Sequence, residues 1–466
     1  MEVENEKKND VEISIYKGDK LFNANTPFVI NLFAPEKKVE EEEEKKVYAD
    51  LICVIDISGS MYGEKIHQVK ESLKILVDMM NEKDRIALVL FSSSASLLND
   101  LEYLTKENKE KIKKKIEEIN ATGGTNIASG LQIAVDILKK EKNTPKENES
   151  RSSSVILLSD GCDNDNDEIQ LGEKLKSLTK GEKLSFTLNT FGYGNDHDPK
   201  IMNKLANLRD GSFFFVEDYQ KVGEFFVTVL GGCMTMISKN AQLDVKLNNQ
   251  KCKIVKIFGE SNLYYYESKD FLFTTKMLQF ITGKDYTFVL EIQLDESSIK
   301  PEDELLDIDF IYDDINTNKK ITINAKYIYA IKDLNFAKAN EEYIRSQTYD
   351  ILEKAVKLRE NDKLTEGKEM LKKMREWLEK NYHGENKNYL EDIKKAEPMF
   401  ERREYEQRDF TYATSQIRQM QSKRAGDLYI NRVQRELRHT YQNNYIQSQK
   451  INKNIGLLIL NILKFY

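Results

Sequence analysis

The sequence predicts an α/β protein: a doubly wound, mainly parallel sheet with an accessory β-sandwich and a C-terminal helical region. Three observations predict it. Between residues 49 and 235, apolar strand-like runs alternate with amphipathic stretches of helical spacing, as expected of a sheet with helices on both faces. Residues 236–330 switch to alternating segments with turn residues between them, the pattern of a small sandwich. Residues 331–466 lose β-branched density and read as helical.

Residues 1–48 hold two strand-like segments, "VEISIY" and "PFVINLFAP", followed by the solvated charge run "EKKVEEEEEKK", a linker or loop. The two strands are expected to complete the sandwich, which leaves the α/β unit inserted in it. From residue 49 onward, "ADLICVIDI" is a continuous apolar run, the mark of a strand covered on both faces. "KIHQVKESLKILVDMM" follows with Ile66, Val69, Leu73, Leu76, Val77 and Met80 at helical spacing. "DRIALVLFSS", "SSVILLSDG", "LSFTLNTFGYG" and "GSFFFV" read as further strands. "KENKEKIKKKIEEIN", "NIASGLQIAVDILKK", "DEIQLGEKLKSL", "DPKIMNKLANL" and "YQKVGEFFVTVLGGCM" read as helices. In the last of these, "GG" at 231 and 232 is expected to end or hinge the helix. The sandwich strands are "AQLDVKLNN", "KCKIVKIFG", "YTFVLEIQLD", "LLDIDFIYDD" and "KKITINAKYIYA". In the C-terminal region, Leu364, Gly367, Leu371, Met374 and Leu378 form one seam, the core of a helical bundle.

Composition narrows the function classes. Apolar residues make up 40% of 466, enough for a sizeable core, and the net charge of -7 gives no global pull toward nucleic acid or an anionic membrane. Cys53, Cys162, Cys233 and Cys252 are far apart with no CxxC pair, which argues against a zinc knuckle, a RING module or a disulfide framework. The N-terminal "MEVENEKKNDVEIS" has no apolar signal-like core, so a reducing, cytoplasmic setting is the expectation. The terminal "IGLLILNILKFY" is too short to span a bilayer, which takes about 20 helical residues. It reads as a buried helix, with no stable membrane insertion.

The chemistry concentrates at three places: "DISGS", with Asp56, Ser58 and Ser60; "GGTN", with Thr125 after paired glycines; and "LLSDG", with Ser159 and Asp160. Asp56 and Asp160 close predicted strands and Thr125 precedes a helix, so all can meet at the carboxyl edge of one sheet, where ligands of such folds bind. The set is rich in hard oxygen and has no sulfur or imidazole. Magnesium suits it, with manganese or calcium as substitutes. Neutral hydroxyl ligands leave such an ion electrophilic, able to take a further Asp or Glu from a partner protein.

DxSxS, a loop threonine after paired glycines, and a strand-ending SDG, in that order on an α/β pattern, resemble the von Willebrand factor A (VWA) domain over residues 49–235. The resemblance implies a metal-ion-dependent adhesion site with direct ligation by Ser58, Ser60 and Thr125, and with Asp56 and Asp160 acting directly or through water. It implies a non-enzymatic interaction module, a scaffold or adaptor. The layout is also similar to the VWA part of plant RING-type ubiquitin ligases, through "ILEKAVKLRENDKLTEGKEMLKKM", although these cysteines cannot make a RING.

Rival readings rest on particular residues. Asp56 can be compared with the nucleophile of a haloacid-dehalogenase-like phosphatase, but that resemblance expects DxD and position 58 is Ser. A serine hydrolase needs G-x-S-x-G and a histidine base. "GSMYG" places Ser60 one position early, and the histidines are His67, His197, His383 and His439. "DNDND" at 163–167 fails as a calcium loop, because Glu168 and Lys174 stand where Gly and Glu are required. It reads as an acidic loop beside the rim of the site. Residues 401–450 mix arginines and tyrosines, as an RNA-binding stretch does, but Glu404, Glu406, Asp409, Asp427 and Glu436 are interspersed. A solvated helix is expected there and no nucleic acid.

Overall fold

The structure is a computed structural model. It describes residues 11–35, 47–142, 150–161, 163, 168–180, 184–194, 197–216, 222–259, 263, 265–315, 317, 319–329, 336–382 and 388–400. The apolar terminal stretch and the arginine-rich segment lie outside the described residues.

Two strands, β1 (Glu12–Lys17) and β2 (Thr26–Phe33), precede the central strand β3 (Val47–Asp56). The continuous apolar run in β3 has the two-sided burial it implies. Leu51, Cys53 and Ile55 pack under α1 (Glu64–Met79), α2 (Lys106–Glu117) and α6 (Val222–Met234). Ile52 and Val54 pack on the other face under α3 (Ile127–Lys142), α4 (Glu168–Thr179) and α5 (Pro199–Asn207). Each such side chain contributes about 1.5–3 kcal/mol on burial, which makes β3 the anchor of both layers. The strand order is β5 (Ala95–Tyr103), β4 (Arg85–Phe91), β3, β6 (Ser150–Ser159), β7 (Thr187–Tyr193) and β8 (Phe213–Val216). The pairs are parallel except β4 with β5.

At the base of β3, Asp50 is 1% exposed and is held by two guanidinium groups. Arg85 Nε and Arg151 Nε each donate to its Oδ1 at 2.8 Å, and a second Arg85 nitrogen donates to Oδ2 at 2.8 Å. This cluster ties β3, β4 and β6 together at the end away from the carboxyl edge.

The glycine pair in α6 differs from expectation. The helix runs through Gly231 and Gly232 to Met234, so the pair does not end it. Helical glycine costs about 1 kcal/mol relative to alanine. Burial of Phe226, Val229, Leu230 and Cys233 against the sheet offsets that. After Thr235 the chain enters β9 (Met236–Leu247) directly.

The second body is a two-sheet sandwich. One sheet has the order β1, β2, β14 (Asp285–Gln293), β10 (Lys253–Ile257). β1 and β2 therefore belong to the sandwich, and the α/β unit interrupts it. The other sheet runs β11 (Tyr265–Lys269), β12 (Leu272–Met277), β9, β15 (Glu304–Asp314), β16 (Lys320–Ile328), with β13 (Phe280–Ile281) also paired to β9. Phe28, Ile30, Leu243, Val245, Leu290 and Phe310 are among the side chains that fill the space between the sheets.

Helix α7 (Phe336–Glu360) covers the outer face of the first sheet, and α8 (Leu364–Asn381) and α9 (Asn388–Ala396) pack against α7. Ala339 and Tyr343 of α7 pack on Val29, Phe258 and Val289. The α8 seam is buried at Gly367, Leu371, Met374 and Leu378, with Leu364 partly buried. The α/β unit is fixed to the rest by several bonds. Asp210 Oδ2 accepts the Leu278 N–H at 3.0 Å, Gln279 Nε2 donates to Ser152 Oγ at 3.0 Å, and Lys200 pairs with Glu360 at 3.1 Å.

Candidate functional site

The site lies where the strand order reverses. β3 has β4 on one side and β6 on the other, so the chain leaves the carboxyl ends of β3 and β6 in opposite directions and opens a crevice between them. In the parallel register Ile55 stands beside Leu158, which brings Asp56, the last residue of β3, level with Ser159, the last of β6.

Both oxygens of Asp56 are engaged. Oδ1 accepts the Ser58 N–H at 2.8 Å, and Oδ2 accepts the Ser159 hydroxyl at 2.5 Å. The Gly161 N–H in turn donates to Ser159 Oγ at 2.9 Å, so the hydroxyl is oriented from behind. Beyond Asp56 the chain makes a 3-10 turn over Gly59–Met61, which sets the Ser58 and Ser60 hydroxyl oxygens 3.0 Å apart. Ser58 is buried and Ser60 is exposed, so the pair points from the interior toward solvent. The neighbouring Tyr62 is 81% exposed at the rim.

The glycine-threonine loop is tied to this turn by its backbone. Thr122 N–H donates to Ile57 O at 2.6 Å, Gly59 N–H to Gly123 O at 2.9 Å, and Asn126 N–H to Ser92 O at 2.8 Å. Gly123 adopts a φ of 84°, in the left-handed region that favours glycine. Thr125, 4% exposed, is held in this loop just before α3. Asp160 follows Ser159 and is fully buried. Lys65 in the first turn of α1 reaches it, with Nζ 3.0 Å from Oδ2. Gly161 has a φ of 73°, and a Cβ there would meet Asp198 O at 2.9 Å, so the sharp exit after Asp160 requires glycine.

Burial pushes the Asp56 carboxyl up to about 6, with the Asp160 charge adding to the rise and the Ser159 and Ser58 hydrogen bonds opposing it. Asp56 and Asp160 end or follow adjacent strands, the Ser58 and Ser60 hydroxyls stand beside Asp56, and the loop that carries Thr125 is bonded to the same turn through its backbone. Among the described residues no three His, Cys, Asp or Glu side chains cluster as a metal-binding group. Any ion here would depend on hydroxyls to complete its shell.

Three contributors were not assigned a role from sequence. Ser159 was visible inside "LLSDG", but its bond to Asp56 depends on the strand register. Lys65 reads as one more polar position on an amphipathic helix. Asp163 reads as part of an acidic loop, yet its Oδ2 accepts the Ile127 N–H at 2.8 Å and so caps the helix that follows Thr125. Two histidines fall among the described residues. His67 is exposed on α1. His197 is buried, with its ring 4.8 Å from that of Phe215 and Nδ1 2.6 Å from Gly194 O. His383 and His439 lie outside the described residues.

An open α/β sheet with an oxygen-lined crevice at its switch point defines a class of ligand-binding folds. Within that class, residues 50–227 match the von Willebrand factor type A domain. The chain is similar to inter-alpha-trypsin inhibitor heavy chain H2 of Sus scrofa, 32% identical over 188 residues, which cover 40% of this chain and 19% of that one. The chain thus spans about a fifth of the length of this relative. Among solved structures it is similar to a von Willebrand factor type A protein from Catenulispora acidiphila, with a TM-score of 0.64, 16% identity, and 84% of this chain and 91% of that one covered. It is also similar to the ArnB paralog VWA2 from Sulfolobus acidocaldarius, with a TM-score of 0.51, 17% identity, and 89% and 99% covered. At these identities the structural likeness speaks for the fold alone.

Proposed function

We propose that the crevice is a metal-ion-dependent adhesion site and that the protein is a non-enzymatic interaction module, a scaffold or adaptor. VWA domains commonly mediate protein–protein interactions. Here a bound magnesium ion, with manganese or calcium as substitutes, would recruit an Asp or Glu of a protein partner.

One observation carries the reading: the Ser58 and Ser60 oxygens are 3.0 Å apart beside buried Asp56. Two oxygens at right angles around an octahedral ion, each about 2.1 Å from it, are themselves about 3.0 Å apart. The spacing of the serine pair therefore suits two neighbouring ligands of such an ion, which supports the reading. Ser58, Ser60 and Thr125 would hold it directly, and Asp56 and Asp160 would balance its charge directly or through water. When bound, the ion supplies a Lewis-acid position for an external carboxylate. The protein's own part is to hold the hydroxyls in place through the bonds of Asp56 and the Thr122–Asn126 loop.

A phosphatase with Asp56 as nucleophile is less well supported. Its carboxylate is fully buried with both oxygens accepting hydrogen bonds, and Ser58 offers no acid for a leaving group. The free thiols of Cys53, Cys233 and Cys252 support a reducing, cytoplasmic setting. Among the described residues no helix is long and apolar enough to cross a membrane.

The experiment is titration calorimetry with magnesium and manganese, followed by partner pull-down with and without EDTA. Asp56→Ala and Thr125→Ala should each abolish metal binding and metal-dependent capture while the far-UV spectrum stays that of the wild type. Capture that survives both substitutions and EDTA would overturn the proposal.

A further inference from the structure

Lys65 stands where helix electrostatics disfavour it. The first turn of a helix carries partial positive charge, which repels a cation. The acid beside it in that turn, Glu64, is exposed. A lysine placed only to solvate α1 would point outward. Instead its side chain is 16% exposed and its ammonium lies 3.0 Å from an oxygen of Asp160, which is 0% exposed. The neighbouring carboxylate of Asp56 is served differently, by a backbone N–H and a hydroxyl. The ammonium is therefore a positive charge drawn down into the cluster of acids and hydroxyls at the carboxyl edge of the sheet.

We propose that Lys65 is a built-in occupant of the cation site: its ammonium holds Asp160 when no divalent ion is bound, and an incoming ion must take that carboxylate from it. The proposal rests on the metal-ion reading above and deepens it.

A fully buried carboxylate needs a charged or hydrogen-bonding partner, and Lys65 supplies one to Asp160 at lower charge than a divalent ion would. A four-carbon side chain with rotatable bonds can withdraw without moving the helix, which a shorter residue cannot do. With the ion in place, an ammonium left against Asp160 would be repelled by it and driven to the rim. Lys65 would thus lower the ion's affinity, keep the empty site folded, and return a positive charge to the surface when the ion enters.

The test uses the full chain with K65M, which keeps the stem and removes the charge, and K65Q, which keeps a donor for Asp160 if the apolar variant does not fold. Magnesium and manganese affinities are measured by titration calorimetry, and melting is followed in EDTA and in saturating metal. Removing a unit charge from a mostly covered site should tighten metal binding about tenfold or more. Both variants should melt below the wild type in EDTA and gain more than the wild type does on adding metal. Wild-type binding with equal or weaker affinity in both variants overturns the Lys65 proposal and leaves the adhesion-site reading intact. No metal binding by the wild type or either variant overturns both.

Discussion

The hydroxyl of Ser159 donates to Asp56 Oδ2 at 2.5 Å, joining the last residues of two adjacent parallel strands. This bond fixes the rotation of the carboxylate that organises the turn carrying Ser58 and Ser60. Ser159→Ala removes it and leaves a fully buried carboxylate short of a donor. An unsatisfied buried acceptor costs about 1–3 kcal/mol. Urea unfolding in EDTA should show a loss of that order, and calorimetry should show weaker magnesium binding. A variant with wild-type stability would mean that Asp56 is oriented by Ser58 alone.

Asp56 also gives the metal-free protein a defined pH response. Burial raises its carboxyl from an ordinary 3.8 to about 6. Because the folded value lies above the unfolded one, the contribution to stability is complete below the unfolded value and is lost as pH rises through about 6. The loss is roughly 3 kcal/mol at most. In EDTA, Asp56→Asn should therefore gain stability relative to the wild type on going from about pH 4.5 to about pH 7.5. Saturating metal should reverse the trend for the wild type, since the ion favours the ionised acid. Parallel pH profiles for the two proteins in EDTA would refute this account.

The sequence made β3 legible because both faces of the strand are covered, so every position is apolar up to Asp56. The DxSxS, threonine and SDG segments stand out only together and in order, because Asp and Ser at strand ends and turns are by themselves commonplace caps. The sequence hid β5, whose nine residues include only one buried side chain, Asn99; as an antiparallel edge strand it has no continuous apolar face. β11 was hidden for the same reason, being exposed along its whole length. The roles of Lys65 and Asp163 were not legible because each acts on a residue distant in sequence, Asp160 and Ile127, that only the fold brings near. Gly231 and Gly232 suggest a helix end by local propensity, which the apolar face that holds α6 on the sheet overrides.

Asp50 offers a control that separates fold from site. It sits at the opposite end of β3 from Asp56, and although burial works against it, Arg85 and Arg151 hold its carboxyl below the usual range. Asp50→Ala leaves two largely buried guanidinium groups without their shared partner. Breaking a buried ion pair from one side costs about 3–5 kcal/mol. Chemical unfolding should report that loss, while metal affinity of the folded protein should stay within about twofold of the wild type, as expected for sites that share no partner. A large change in metal affinity at temperatures where the variant is folded would show that the two ends of β3 are coupled.

Gly367 carries the last prediction, in the helical region remote from the crevice. In a solvent-facing helix position, glycine to alanine stabilises by about 1 kcal/mol. At Gly367 a Cβ would come within 2.3 Å of the Phe400 ring. Both residues are buried in the core shared by α7, α8 and α9, so the ring cannot simply swing into water. Overpacking of this kind costs typically 1–3 kcal/mol, which outweighs the helical gain and reverses its sign. Gly367→Ala should therefore lower stability and expose α8 and α9 to limited proteolysis, with magnesium binding unchanged. Adding Phe400→Ala removes the clash, so the glycine substitution should cost less in that background than in the wild type. Equal cost in both backgrounds would mean that the close approach of α8 to Phe400 is not what requires glycine at this position.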